Sequence, residues 1–141
     1  MPVGADWREF VRGKLGGVEF GKGVNGKPYV VGSEWRFNVS HSGEWMLVAL
    51  ARGCEVGVDI EQVRPVVHLD RIVERYSLDD ADGFCAAWVR REALVKAAGV
   101  GLAGFAKWRE LPAGWRLVDL TVPDGYRGAL VIASSQVEDL G

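Results

Sequence analysis

Apolar and polar positions alternate most regularly in the middle of this chain. Trp35, Phe37 and Val39 alternate with Arg36, Asn38 and Ser40, the period of a β-strand. His41-Ser42-Gly43 follows as a turn, and Glu44 to Arg52, apolar on both faces, reads as a second strand in a central position. Cys54 to Glu61 is a third strand, sending Val56, Val58 and Ile60 to one face and Gly57, Asp59 and Glu61 to the other. The period then lengthens to that of a helix over Val66 to Tyr76, and again from near Leu78 to Gly99. Asp79 and Asp80 favour the first turn of this longer helix, and Gly99 is placed to end it. Its spacing lines up Phe84, Trp88, Arg91 and Val95 on one stripe, with Glu92 and Lys96 on a neighbouring one.

The flanks are simpler. Asp6 to Leu15 predicts a short helix with Asp6 as its cap, broken by Gly16 and Gly17. Val18 to Lys27 is a loop or hairpin connection ending at Lys27-Pro28. Beyond Gly101 a loop carries Phe105 and Trp108. Strands Trp115 to Val122 and Tyr126 to Ala133 follow, joined by a Pro123-Asp124-Gly125 turn, with a polar tail from Ser134. From Cys54 onward the order is strand, helix, helix, strand, strand, an α+β arrangement.

Composition narrows the class. The chain has 141 residues, 48% of them hydrophobic and 26% charged, enough for one domain with a real core. A formal charge of -2 predicts no strong attraction to nucleic acid or to an anionic membrane. The longest apolar run, Trp45 to Ala51, is too short to span a bilayer, and the first residues lack the cationic flank and apolar stretch of a signal peptide. A cytoplasmic protein is expected. Cys54 and Cys85 suggest neither a disulfide framework nor a zinc site, only small hydrophobes in a reducing compartment.

Three places carry candidate chemistry. Asp59 and Glu61 project from the same strand face, and like charges at that spacing repel unless water or a cation joins them. Oxygen donors at i and i+2 suit magnesium, which takes one or two protein carboxylates and fills its shell with water and phosphate; an acidic strand end facing solvent is the alternative. Glu92 and Lys96 form an i,i+4 pair, which on a solvated surface contributes only ~0.3 kcal/mol. Ser40, His41 and Ser42 beside Gly43 make either a phosphate cradle or an ordinary polar turn. Lys22 and Lys27 are ligands or merely solvating charges, and His68 is assigned to the surface.

Taken together and in order, Gly26-Lys27-Pro28, Phe37-Asn38-Val39-Ser40-His41-Ser42-Gly43, Val56-Gly57-Val58-Asp59-Ile60-Glu61 and the Trp88 to Gly101 block closely resemble the 4′-phosphopantetheinyl transferases. Within them the resemblance is to the larger, surfactin-synthetase-activating class, and it covers roughly Phe20 to Ala133. It implies an antiparallel sheet in the α+β fold of that family, and Mg²⁺-dependent transfer of the phosphopantetheine arm of coenzyme A to a serine of an acyl- or peptidyl-carrier protein, releasing 3′,5′-adenosine bisphosphate. It implies Asp59, Glu61 and Glu92 as magnesium ligands, with Glu92 also as the base that takes the serine proton. Lys96 is implied as a phosphate contact, and Ser40, His41 and Lys27 as contacts to coenzyme A phosphates. Arg91 stands where the family usually has lysine; the charge is kept, but a planar fork replaces a point charge.

The same resemblance shapes the expected assembly. Residues 1–141 form one domain, with 1–53 as a shortened first lobe, 54–134 as the main lobe and 135–141 as a tail. The larger class has two similar halves, and 53 residues are too few for a full first half. Arg8, Arg12, Lys14 and Lys22 are candidates to replace the missing nucleotide-gripping residues. A monomer is expected, with a trimer, as in the compact holo-acyl-carrier-protein synthases, as the alternative. Arg64, Arg71 and Arg75 are a candidate patch for an acidic carrier protein. The rival functions are a non-catalytic module binding coenzyme A or a carrier protein, and a magnesium-dependent phosphohydrolase.

Overall fold

The computed structural model describes residues 1–2, 4–23, 26–63, 81–100 and 110–133. The expected helix over Val66 to Tyr76, the start of the longer helix, the Arg64, Arg71 and Arg75 patch, the Phe105 and Trp108 loop and the polar tail all lie outside them. Within them the fold is α+β with antiparallel strands, as expected. Its elements are α1 (Trp7–Leu15), β1 (Phe20–Lys22), β2 (Pro28–Val30), β3 (Trp35–Ser42), β4 (Trp45–Arg52), β5 (Glu55–Gln62), α2 (Ala81–Ala98), β6 (Arg116–Leu120) and β7 (Tyr126–Ala133).

Helix α1 starts where Asp6 accepts a hydrogen bond from the Arg8 amide at 2.9 Å, satisfying one free N–H of the first turn. It ends at Gly16, whose φ of 92° suits a residue without a side chain. Val11 buries against Val30 and Phe37, and around them Trp7, Phe20 and Phe37 pack ring on ring at centroid distances of 5.0–5.5 Å. The Gly- and Lys-rich connection proves to be the β1–β2 hairpin, with Lys22 opposite Pro28.

Strands β3 and β4 form a tight hairpin in which Ser42 faces Trp45. Ser40, His41 and Ser42 are therefore strand residues, and the turn is Gly43-Glu44. Gly43 has φ 55°, and a Cβ there would run into the Tyr126 hydroxyl, which accepts from the Glu44 amide at 3.2 Å. The turn is thereby docked on the start of β7. Strand β4 is also not central: among the described strands it pairs only with β3, with a single bridge from Pro2 to Trp45 beside it. Its two apolar faces have a different cause. Val48 and Leu50 pack on the Val11–Phe37 cluster, and the opposite face of the hairpin is turned toward β5.

The second sheet has the order β5-β7-β6, antiparallel throughout, and β6 meets β7 across the expected Pro-Asp-Gly turn. Helix α2 lies on β5 and β7, but its buried stripe is Cys85, Val89, Ala93 and Ala97 rather than Phe84, Trp88, Arg91 and Val95. Gly57 is the reason. A Cβ at Gly57 would overlap the Ala93 carbonyl and the Ala97 amide, so strand and helix touch backbone to backbone where only the smallest side chains fit. Val95 is buried, while Phe84 and Trp88 are half-buried and stacked at 5.8 Å. Glu92 and Lys96 thus border the helix–strand contact, at the edge of the buried face as the spacing predicts.

Candidate functional site

Everything at the site is organised on β5. One of its edges pairs residue by residue with β7, from Glu55 opposite Ala133 to Gln62 opposite Tyr126. The other edge faces β3 and meets side chains. The amides of Val58, Ile60 and Gln62 donate to Asn38 Oδ1 at 2.8 Å, Ser40 Oγ at 3.1 Å and Ser42 Oγ at 2.9 Å. The carbonyls of Val56 and Val58 accept from Lys27 Nζ at 2.9 Å and Lys96 Nζ at 3.0 Å. Five side chains thus do for this edge what a neighbouring strand would do. Strand alternation makes it possible, because residues 38, 40 and 42 share one face of β3 at the repeat of alternate amides on β5.

Asp59 is the centre of the arrangement. Only 3% of it is exposed, so the solvated-strand-end alternative fails for this residue. Its Oδ1 accepts from Ser40 Oγ at 3.1 Å and from Lys96 Nζ at 3.2 Å. Its Oδ2 is buried and, among the described residues, has no hydrogen-bond partner. Burial pushes the Asp59 carboxyl up to about 7; Lys96 pulls against that shift and the charge of Glu61 adds to it. Glu92, half-buried, is raised as well, first by burial and then by the charge of Asp59, with Lys96 opposing. The same negative field reaches Cys85, whose thiol is pushed up to about 11 by burial, Glu61 and Asp82. The region around Asp59 is thus within electrostatic reach of Glu61 and Glu92, although among the described residues the three do not come together as one metal-holding group.

Whether that region suits a cation is decided by its donors. Among the described residues no three His, Cys, Asp or Glu side chains close into a cage able to hold a metal unaided. Magnesium does not require one, since it keeps several waters and is commonly held by one or two carboxylates and by substrate phosphates. A buried carboxylate oxygen without a donor, beside further carboxylates that raise its proton affinity, is the donor set such an ion would satisfy.

The two lysines differ in what they have left to give. Lys27 directs its ammonium to Glu55 Oε2 at 3.2 Å, Val56 O at 2.9 Å and Lys96 O at 2.9 Å, which uses all three of its N–H donors. It joins β5 to the last turn of α2, where Gly99, with φ 69°, also caps by donating to Val95 O. Burial lowers its pKa, and Glu55 offsets part of that loss. The geometry thus gives Lys27 a structural task at this edge of β5. Among the described residues Lys96 spends two donors, on Val58 O and Asp59 Oδ1, and keeps one.

Ser40 and His41 do not converge. Ser40 is buried toward β5, whereas His41 is exposed on the opposite face of β3, across from Met46. Arg91 is half-buried on α2, one residue before Glu92. A cleft of about 390 Å³ opens between the β1–β2 hairpin and the end of α2, lined in part by Gly23, Lys27, Tyr29, Arg36 and Glu55. Arg36 Nε bonds Glu55 Oε1 at 2.9 Å, so Glu55 ties two cations of the cleft together. Asn38 was missed as a partner of this strand edge, Ser42 was expected in a phosphate cradle or polar turn instead, and Glu55 was missed. The signal for the first two was present, as small polar residues two apart on a strand whose alternate face is apolar.

No helix of the described residues is long and apolar enough to cross a membrane. No family model matches the chain. Among curated proteins it is similar to slr0495 of Synechocystis sp., a provisionally named 4′-phosphopantetheinyl transferase, with 31% identity over a 160-residue alignment that covers 87% of this chain and 65% of that protein. It is 29% identical to the 4′-phosphopantetheinyl transferase HetI of Nostoc sp., over 84% of this chain and 62% of HetI. It is 30% identical to the 4′-phosphopantetheinyl transferase AcpT of Salmonella typhi, again over 84% of this chain and 62% of the relative. The chain spans between about half and two thirds of the length of such relatives.

Proposed function

We propose that this chain, which belongs to the 4′-phosphopantetheinyl transferase superfamily, moves the phosphopantetheine arm of coenzyme A onto a serine hydroxyl of an acyl- or peptidyl-carrier protein. The observation that carries the proposal is the buried Asp59 carboxylate, fixed through one oxygen by Ser40 and Lys96 and, among the described residues, without a partner at the other. In the reaction the serine oxygen forms a bond to the phosphorus that bears the pantetheine. The pyrophosphate P–O bond breaks, and the electron pair leaves with 3′,5′-adenosine bisphosphate.

Asp59, Glu61 and Glu92 are the residues that would hold magnesium, which would offset pyrophosphate charge and make the phosphorus more electrophilic. Glu92 is the proposed acceptor of the serine proton. Its raised pKa makes its carboxylate a stronger base than an exposed one. Lys96, with one donor to spare among the described residues, is the proposed contact to a phosphate oxygen, where its charge would offset what builds up on the leaving group. His41 and Arg91 are retained as candidate contacts to the phosphates, and the cleft beside Arg36 and Tyr29 as the place for the nucleotide end.

A site completed within one chain is part of the proposal. Lys27, Asn38, Ser40, Ser42 and Lys96 all meet on one strand edge of a single chain, which supports a monomer of the larger class. A light-scattering mass three times that of the chain would replace it with a trimer. The reaction itself is tested by the intact mass of an apo carrier protein after incubation with this chain, coenzyme A and Mg²⁺. Gain of one phosphopantetheine arm, lost on chelation, is expected. Glu92→Gln, which keeps the shape and loses the basic, ligating carboxylate, should fold normally and lower turnover by about 10²–10⁴. Near-normal turnover by that variant would remove Glu92 from the mechanism.

A further inference from the structure

We infer that Ser40 is a positioning residue for the cation site, acting through Asp59, rather than a contact to coenzyme A. The inference rests on the reading of Asp59 as a magnesium ligand. A serine hydroxyl has one hydrogen to donate and two lone pairs to accept with. Here the hydrogen faces Asp59 Oδ1 at 3.1 Å, and a lone pair takes the Ile60 amide at 3.1 Å. Only 5% of Ser40 is exposed. A phosphate reaching this hydroxyl would have to enter between two strands and displace the bond to Asp59.

The same bonds decide which carboxylate oxygen is left open. Ser40 and Lys96 both engage Oδ1, and the Ser40 oxygen is itself anchored to the backbone of the residue after Asp59. The carboxylate plane is thereby held from one side, and Oδ2 is presented without a competing donor. Groups that orient a metal ligand in this way change metal affinity by about 10- to 100-fold when removed.

Ser42 supplies an internal control. It sits two residues along the same strand, is 7% exposed and accepts the Gln62 amide at 2.9 Å, the same structural service with, among the described residues, no bond to a carboxylate. A merely structural role for Ser40 predicts the same consequences at both positions, and a positioning role separates them. The experiment is calorimetric titration of Mg²⁺ into the wild-type chain, Ser40→Ala, Ser42→Ala and Ser40→Thr, with coenzyme A present, alongside KM values for Mg²⁺ and for coenzyme A in the transfer assay.

The expected result is a Kd and a KM for Mg²⁺ raised about 10-fold or more in Ser40→Ala. Wild-type values are expected in Ser42→Ala and recovery in Ser40→Thr, which keeps the hydroxyl, while the KM for coenzyme A stays within about twofold throughout. Should Ser40→Ala not fold, Ser40→Cys, with similar volume but a weak donor, carries the same expectation. Equal Mg²⁺ affinities in the two alanine variants, or a change confined to the KM for coenzyme A, would overturn the inference while leaving the proposed transfer intact. Failure of the wild-type chain to bind Mg²⁺ would overturn the metal reading and the inference with it.

Discussion

The two edges of β5 solve one problem in different ways. Toward β7 the strand is paired by backbone alone, and the ladder from Glu55 to Gln62 asks of each residue only that it be extended. Toward β3 the backbone groups of the alternate residues Val56 to Gln62 are met by Asn38, Ser40, Ser42, Lys27 and Lys96, each of a particular type. A ladder tolerates substitution because every residue has an amide and a carbonyl. An edge made of side chains does not, since losing one leaves a buried polar group bare, at about 1–3 kcal/mol. The difference teaches why polar motifs cluster around Asp59. Part of the set is needed to finish a strand, and the chemistry is carried by what is left over.

The largest effect should come from disturbing both edges at once. Gly57→Val places a branched side chain where the Ala93 and Ala97 backbone already lies, pushing α2 and its Lys96 away from the strand. Destabilisation of about 3–5 kcal/mol or loss of folding is expected in urea denaturation. Asn38→Ala breaks only the side-chain edge, leaving the Val58 amide unpaired, and should cost about 1–3 kcal/mol in the same measurement.

The pH dependence sharpens the comparison further. Asp59 keeps its proton up to about pH 7 in the folded chain, against 3.8 for an ordinary aspartate side chain. Between those values the folded state binds more protons than the unfolded one, so the stability owed to this group is complete below about pH 4 and is lost as pH rises through about 7. Glu92, also raised, acts in the same direction. Urea midpoints should therefore show a downward contribution over that window, and Asp59→Asn should flatten it; an unchanged profile would mean that Asp59 is not held as a buried acid. The smallest effect belongs to the ladder side. Arg127→Ala on β7 removes an exposed pair with Asp82 but no strand hydrogen bond, and the denaturation midpoint should stay within error of the wild type.

Local pattern alone determined much of this protein. Alternation marked β3 and β5, helical spacing and Gly99 marked α2 and its end, and Pro123-Asp124-Gly125 marked the last hairpin and with it β7. The grouping of Asp59 with Glu61, and of Glu92 with Lys96, followed from the same two periods. Other features depended on how the elements meet. Helical spacing put Phe84, Trp88, Arg91 and Val95 on one stripe of α2, but contact with Gly57 set Ala93 and Ala97 against the strand, because backbone approach favours the absence of a side chain. Ser40, His41 and Ser42 are polar enough for a turn, yet a two-residue turn at Gly43-Glu44 left them in the strand, with serines buried and the histidine exposed. Lys27 and Lys96 are the same residue type in equally suggestive motifs. Only the packing of the hairpin and α2 against β5 decided that one would spend all its donors on the fold and the other would keep one. Sequence spacing sets which face a side chain takes, but the number of acceptors around an ammonium group is a property of three dimensions.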